Sequence, residues 1–572
     1  MPLPLTNADR ARQALGLMEQ GRLKAAERLL KDVLKADASQ FEALLGFGVL
    51  SGMRGEDALA VKYLARAVQK KPASPDAHYN LGQALIRLGR TAEAADALEI
   101  AAAASPGQPH IHEKLGDCRR QLGALEAAVI HYRRAVELSG RRAGGMLLSS
   151  LVETQRRLCD WTGLEGLQTR LLDCVARGET VEPLLLHYIT DDPAIAKRNA
   201  VAYATTFLPA DGAAPRFKHG PRDRQRLRIG YLCSDFRTHA TAHLMAELFE
   251  RHDRTRFEIS ALSFGPEDKG PMRRRLESAF DRFVDLGRFS DPEIAKKIHA
   301  LGIDILVDLN GYIANARPGI LLARPAPIQV HYLAFPGTLG GSAIDYMLVD
   351  PVIAPDGCDR HYTEKLVRLP DCYQPNDSRR EVALLRPTRA ACRLPETATV
   401  LASFNNPIKI GPDVFAAWMR ILAAVPGSVL WLFADNTSAP DNLRAAATTA
   451  GISVERLVFA DYVPSPDHLA RLANADLVLD CFPYGAHTTA SDALWMGVPV
   501  LTRQGASFAS RVGASLLRSA GLPELATNGA DEYERLAIEL ARTPDRIAAL
   551  KTKLAANRTI APLFDTPRLA CH

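Results

Sequence analysis

Apolar and small residues recur along the first 140 positions with a period of 34. Gly21, Gly55, Gly89 and Gly123 share one register. Five positions later stand Ala26, Ala60, Ala94 and Ala128, and nine later Leu30, Leu64, Leu98 and Tyr132. Seven positions earlier stand Ala14, Gly48, Gly82 and Gly116, and Pro72 and Pro106 close the second and third units. Such a pattern predicts pairs of antiparallel helices. Small residues lie where helices approach, a glycine makes the turn, and larger apolar residues fill the gap to the next unit.

This is the spacing of the tetratricopeptide repeat. Four units over residues 1–139 predict an α superhelix whose concave face receives a peptide or protein. From 140 to 215 the repeat fades, but MLLSSLVETQRRL, LEGLQTRLLDCVA and PAIAKRNAVAYATTF keep helical patterning. The segment PADGAAPRFKHGPRD reads as the main boundary.

After Arg226 the pattern changes to continuous apolar runs bounded by charge, the mark of fully buried strands. LRIGYLCS, FEISALSF, IDILVDL and IQVHYLAF alternate with helical stretches. A second series, TVLASF, SVLWLFA, RLVFA, DLVLDCF and VPVLT, leads into helices at 412–425, 440–450, 466–473, 488–496 and 507–519. Two α/β lobes, 216–380 and 381–572, are expected, joined near Asp377–Pro395. Ligands of such open parallel sheets sit at the carboxyl ends of the strands.

Composition narrows this picture. The 572 residues are 47% apolar and 24% charged, with a net charge of +5, which excludes a disordered or low-complexity chain. The basic clusters are short: Arg222, Arg224, Arg226 and Arg228, then Arg273 to Arg275. They read as solvated linker and helix faces, with a polyanion contact as the alternative, so no nucleic-acid partner is expected. Nine scattered cysteines without CxxC spacing favour neither a disulfide framework nor a zinc site and fit a reducing, cytoplasmic compartment. The start, MPLPLTNADR, is not a secretory signal. Pro325 to Ile344 lacks charge, but its prolines, glycines, Gln329 and His331 read as buried loop and strand rather than membrane.

Three loops carry candidate chemistry. In PYGAHTTASDALWMG, Gly485 makes a turn and Thr488 and Thr489 open a helix, whose free N–H groups and dipole suit a diphosphate. There His487 can donate to phosphate and Asp492 can accept from sugar hydroxyls. In SFNNPIKIGP, Asn405, Asn406 and Lys409 follow a strand, and Lys409 can neutralise phosphate charge. In CSDFRTHATAH, Asp235, His239, Thr241 and His243 crowd a strand-to-helix turn. Plain helix caps and a surface turn remain the alternative reading of these residues. The chain has no D-x-D, no P-loop motif and no GxGxxG after its first strand. Leaving-group charge would then fall to Lys409, His487 and helix N–H groups.

The repeats followed by SDFRTHATAHL, DILVDLNGY, RPAPIQVHYLAFPGT, SFNNPIKI and GAHTTASDALWMGVPVLT resemble the protein O-linked N-acetylglucosamine transferases over nearly the whole chain. CDW at Cys159–Trp161 and the LLLHY segment match that family's helical link. The resemblance implies a GT-B fold of two Rossmann-like lobes and a UDP-N-acetylglucosamine donor in the cleft. It also implies inverting, metal-independent transfer to Ser or Thr hydroxyls of a protein acceptor bound along the repeat groove, without a cofactor.

By motif position, Lys409 and His487 to Thr489 would hold the diphosphate, with Asn406 beside it at a family glutamine position. Asp492 would bind the ribose, and His468 and Arg471 would lie near the uracil. Leu333, Pro336, Gly337 and Thr338 would border the sugar pocket. Asp235, His239 and His187 match positions tied to the base, and a relay through Asp235 and His239 is expected, with His187 nearby.

The chain departs from the animal members in lacking their long insert between the lobes. Of the family's asparagine ladder it keeps Asn80, with Arg12, Gly46 and Lys114 at the equivalent positions, and Ser465 replaces a ribose-binding lysine. SFNN, VRLPDCY and DCFPY also resemble plant protein O-fucosyltransferases, which use GDP-fucose; His487 favours the first branch. The third possibility is a repeat scaffold with vestigial lobes. Membrane association is not expected, and homo-oligomerisation is left open.

Overall fold

The computed structural model describes residues 6–208, 216–220 and 224–572. Most of the expected boundary segment, and Arg222 with it, lies outside the described residues. The chain forms two compact units, Met1–Gln155 and Arg156–His572.

In the first unit four helix pairs follow one another: Asn7–Glu19 with Leu23–Ala36, Phe41–Met53 with Asp57–Lys70, Pro75–Arg87 with Thr91–Ala104, and Pro109–Gln121 with Leu125–Ser139. Gly21, Gly55, Gly89 and Gly123 take the turns at φ +73°, +74°, +72° and +79°, a conformation that costs other residues roughly 1–2 kcal/mol. The second recurrent small position works differently. A Cβ on Gly48 would lie 2.5 Å from Leu64 Cγ, and one on Gly116 would lie 2.7 Å from the Tyr132 ring. The small residue of one helix and the large residue of the next therefore interlock, which is why both recur with the same period. Tyr132 stands where the other units have Leu because its hydroxyl finds partners: it donates to Asp117 Oδ1 at 2.9 Å and accepts from Arg120 Nε at 3.2 Å. Asn80 donates its amide to the Asp76 carbonyl of its own helix.

The second unit holds two parallel sheets. The first comprises β1 Leu227–Cys233, β2 Phe257–Ser263, β3 Arg282–Asp285, β4 Ile305–Asp308, β5 Ile328–His331, β6 Tyr346–Val349 and β7 Lys365–Arg368. Their order is β3-β2-β1-β4-β5-β6-β7, every pair parallel. The second comprises β8 Thr399–Ser403, β9 Ser428–Phe433, β10 Leu457–Ala460, β11 Leu477–Leu479, β12 Val500–Arg503 and β13 Ala526–Thr527, ordered β10-β9-β8-β11-β12-β13. These too pair in parallel. This is the two-lobed GT-B arrangement that the resemblance implies. In each sheet the chain winds outward from a central strand and then reverses, so the switch points lie between β1 and β4 and between β8 and β11. Loops after those strands flank the crevices where ligands of such sheets bind.

β3, β6, β7 and β13 are absent from the sequence reading. They are two to four residues long, and β3 and β7 hold only exposed and half-buried positions, so no continuous apolar run announces them. Helix Pro183–Ile189 carries the LLLHY segment matched to the helical link, whereas helices Ala530–Arg542, Pro544–Asn557 and Thr566–Cys571 were not anticipated. The last returns to the first lobe and packs on helix Ala240–Arg251.

Arg273 corrects the reading of its cluster as a solvated face. It is 4% exposed, stacks on the Phe283 ring and donates to the Phe236 carbonyl. Gln329 and His331 in the charge-free stretch are fully buried. No helix of the described residues is long and apolar enough to cross a membrane. All nine cysteines are free thiols.

Candidate functional site

The loop after β1 turns at Ser234–Asp235 and enters helix Ala240–Arg251 with His239 as its N-cap. Asp235 Oδ2 accepts from Ser234 Oγ at 2.7 Å, and Oδ1 accepts from Arg237 Nη2 at 3.1 Å. His239 Nδ1 accepts the Thr241 N–H at 3.3 Å and lies 4.0 Å from Asp235 Oδ2. The two side chains expected to form a relay thus share a loop without a hydrogen bond. With Nδ1 accepting, the neutral ring carries its hydrogen on Nε2. Burial lowers the His239 pKa and keeps the ring neutral.

On the second lobe, β8 delivers Asn405, Asn406 and Lys409, and β11 delivers the loop to helix Thr488–Trp495. That loop is folded by Asp480, which the sequence reading missed. One Asp480 oxygen accepts the N–H groups of Cys481 (2.7 Å) and Ala486 (2.6 Å), and the other accepts Thr502 Oγ1 (2.6 Å). The unanticipated helix Ala530–Arg542 supports the same point, since Tyr533 donates to the Asp480 carbonyl at 2.9 Å and accepts from Trp418 Nε1 at 3.1 Å.

The folded loop presents the Gly485 carbonyl to Lys409 Nζ at 2.7 Å, and that ammonium also lies 4.1 Å from the Tyr484 ring centre. The Tyr484 ring stacks on His487 in turn, centroids 4.8 Å apart. Burial lowers the Lys409 pKa to about 8, although the nearby Asp480 charge opposes the shift. Burial drives the His487 pKa well below its usual value, aided by Lys409, so its ring is neutral. Thr489 Oγ1 donates to Asn405 Oδ1 at 3.0 Å, and Asn406 caps the Pro407–Lys409 turn from an exposed position.

These loops enclose one cavity of about 470 Å³, within the ordinary range for small-molecule sites. Asp235, His239, Leu333, Asn406, Lys409, His487, Thr488 and Thr489 all line it. Arg237, Tyr373, Gln374 and Tyr484 line it as well and were not singled out in the sequence. Tyr373 Oη and Gln374 Oε1 are buried without partners among the described residues.

The remaining candidates stand apart from the cavity wall. His187 is buried against Phe335 and Tyr484, its Nδ1 is unpartnered among the described residues, and burial lowers its pKa to about 4. A ring that holds a proton only in acid is a weak acceptor for a hydroxyl proton. Pro336 is buried, Gly337 packs against the His187 ring, and Thr338 donates to Glu364 at 2.6 Å, so these residues brace the loop that carries Leu333. Asp492 is engaged by Arg380. His468 packs edge-on against Phe404 and accepts from Arg471 Nε at 3.2 Å, and burial lowers its pKa to about 3. Arg471 lines a separate cavity of about 400 Å³ with Trp431 and Asp467. Among the described residues no three His, Cys, Asp or Glu side chains converge as a metal set.

Comparison with known proteins places this geometry. Residues 212–387 and 374–572 match glycosyl transferase family 41, and 12–77, 52–109 and 79–143 match the tetratricopeptide repeat. A probable UDP-N-acetylglucosamine–peptide N-acetylglucosaminyltransferase, SEC, of Arabidopsis thaliana is 34% identical over 439 residues, covering 73% of this chain and 45% of that protein. A Caenorhabditis elegans protein described as UDP-N-acetylglucosamine–peptide N-acetylglucosaminyltransferase is 27% identical over 541 residues, covering 73% and 47%. The chain spans about half the length of the curated relatives it matches. Among solved structures, an O-GlcNAc transferase mutant of Thermobaculum terrenum is 30% identical with a TM-score of 0.66, covering 94% of this chain and 96% of that one. With its two parallel sheets, its repeats and these matches, the chain belongs to glycosyl transferase family 41.

Proposed function

We propose that the chain is an inverting protein O-glycosyltransferase that moves N-acetylglucosamine from UDP-N-acetylglucosamine to a Ser or Thr hydroxyl of a protein acceptor. One observation carries the reading. A cationic, amide-lined seat (Lys409 with the Thr488–Thr489 helix start) and an anchored carboxylate (Asp235) line the same cavity from the two lobes.

The chemistry follows from that opposition. The acceptor oxygen attacks the anomeric carbon from the face opposite the diphosphate. The bond between that carbon and the diphosphate oxygen breaks, and its electron pair leaves with UDP. Lys409 and the free N–H groups of helix Thr488–Trp495 receive the growing charge where it develops. The Thr488 hydroxyl adds a donor, while Thr489, donating to Asn405, and neutral His487, whose Nε2 faces the Ala509 carbonyl, shape the seat around it. Asp235 takes the acceptor proton, while His239, with hydrogen on Nε2, donates to an oxygen of sugar or acceptor. Asn406 sits at the phosphate rim, Leu333 borders the sugar, and Asp492, His468 and Arg471 belong to the nucleoside end. His187 keeps the sugar-side loop in place rather than accepting the proton. A reducing, cytoplasmic compartment fits the nine free thiols.

Calorimetric titration with UDP and GDP, followed by mass spectrometry of acceptor proteins incubated with the sugar donor, tests this. Tight UDP binding with a 203-Da gain on Ser or Thr, about the mass of one added N-acetylhexosamine, is expected from the bond made above. GDP preference would move the chain to the fucosyl branch, and no nucleotide binding would leave a scaffold.

A further inference from the structure

Arg380 lies in the connection between the lobes, and its side chain is 3% exposed. One nitrogen, Nη2, donates to Asp492 Oδ1. Nε and Nη1 are buried without a partner among the described residues. A guanidinium is permanently charged and its five donors lie in one fixed plane, so two idle nitrogens in a buried setting are costly unless something fills them.

The surroundings say what kind of group that is. Asp492 lies one helical turn beyond Thr488 and Thr489, on the helix whose start faces the main cavity. The Arg380 charge also reaches His468 and His243, where it adds to burial in keeping both rings neutral. Arg471, bound to His468, lines the second cavity. Arg380 therefore stands between the diphosphate seat and the side chains assigned to the nucleoside end. Its backbone is fixed in advance. Asp377 accepts from Arg275 Nη2 at 3.0 Å, and Ser378 donates N–H and hydroxyl to Glu247 Oε2 at 2.8 and 2.7 Å.

We propose that Arg380 is a specificity residue for the nucleoside: Nε and Nη1 donate to ribose or base oxygens of the bound nucleotide while Nη2 stays on Asp492. The inference rests on the donor reading above and adds a residue that neither the sequence motifs nor the family match points to. Arg380 holds the Asp492 carboxylate, and a bound nucleotide supplies the acceptors that its other nitrogens lack.

The test compares Arg380→Met and Arg380→Lys with the native chain by calorimetry, using UDP, 2′-deoxy-UDP, GDP and inorganic pyrophosphate. Arg380→Lys keeps a cation against Asp492 and guards against misfolding of the Met variant. Both variants are expected to bind UDP at least tenfold more weakly and pyrophosphate within twofold of native. The gap between UDP and 2′-deoxy-UDP closes if the ribose is read, and the gap between UDP and GDP closes if the base is read. UDP affinity within twofold of native overturns the proposal, and so does an equal weakening of all four ligands, which marks a strut. Failure of the native chain to bind UDP overturns the donor reading itself, and this inference with it.

Discussion

Lys409 and Tyr484 form a cation–π pair, the ammonium 4.1 Å from the ring centre, on loops that leave two neighbouring strands of one sheet. The pair, with the Gly485 carbonyl, keeps a buried ammonium in place before any anion arrives.

That arrangement sets a pH dependence. The free Lys409 titrates near pH 8, and a bound diphosphate stabilises the charged form and raises that value. Well below pH 8 the lysine is charged with or without ligand, so UDP affinity falls by only about twofold from pH 7 to 8. Above pH 8 binding must take up a proton, and affinity falls by up to about tenfold per pH unit. Lys409→Met abolishes the slope and weakens UDP by roughly 2–5 kcal/mol, the usual loss for truncating one partner of a buried charged contact. Calorimetry between pH 7 and 9.5 checks both statements.

Asp235→Asn keeps the size and the Arg237 neighbour but cannot take a proton at neutral pH. UDP affinity stays within about twofold of native, while transfer to a protein acceptor falls by a hundredfold or more, in the typical range for a lost general base. Full turnover in a mass-spectrometric transfer assay removes Asp235 from the chemistry.

Asp191 reaches from the link after helix Pro183–Ile189 to the start of helix Phe508–Ser519. It accepts the N–H groups of Ala506 (2.7 Å) and Ser507 (2.9 Å) and the Ser510 hydroxyl (2.6 Å). That helix presents the Ala509 carbonyl to His487 Nε2 at 3.3 Å. Asp191→Ala costs about 1–2 kcal/mol as a lost cap and raises the KM for the sugar donor several-fold. Thermal unfolding and donor titration measure the two effects, and an unchanged KM separates this cap from the site.

Gly48→Ala inserts a methyl 2.5 Å from Leu64 Cγ, where helices Phe41–Met53 and Asp57–Lys70 meet. Overpacking of this kind destabilises by roughly 1–3 kcal/mol. Denaturant unfolding of the full chain followed by circular dichroism shows the repeat unit melting earlier. No shift in that transition contradicts the interlock.

The motifs that name the family were readable because each does one local job. A 34-residue period survives when every unit meets the same neighbour, and a strand-to-helix turn ending in Thr488 and Thr489 offers free N–H groups by its own backbone. Asp480, Arg380 and Tyr533 were not readable in this way. Asp480 looked like the end of an apolar run, Arg380 like linker charge, and Tyr533 lies in a helix with no motif. Arg380 and Tyr533 act on partners distant in sequence, Asp492 and the Asp480 carbonyl, and Asp480 acts by folding its own loop around its carboxylate, which no residue-type pattern announces.

The sequence alone determined the repeat unit, the alternation of buried strands with helices, and which strand-to-helix loops carry Lys409, Thr488 and Thr489. All of these follow from contacts within about forty residues, whose periodicity is written directly in the chain. Only the tertiary structure decided that Asp235 and Lys409 line one cavity, that His239 is a cap held off from Asp235, and that His187 is buried behind the wall. Those outcomes depend on how two sheets and their connections pack, and on the loss of water that burial brings, which shifts Lys409 to about 8 and His187 to about 4.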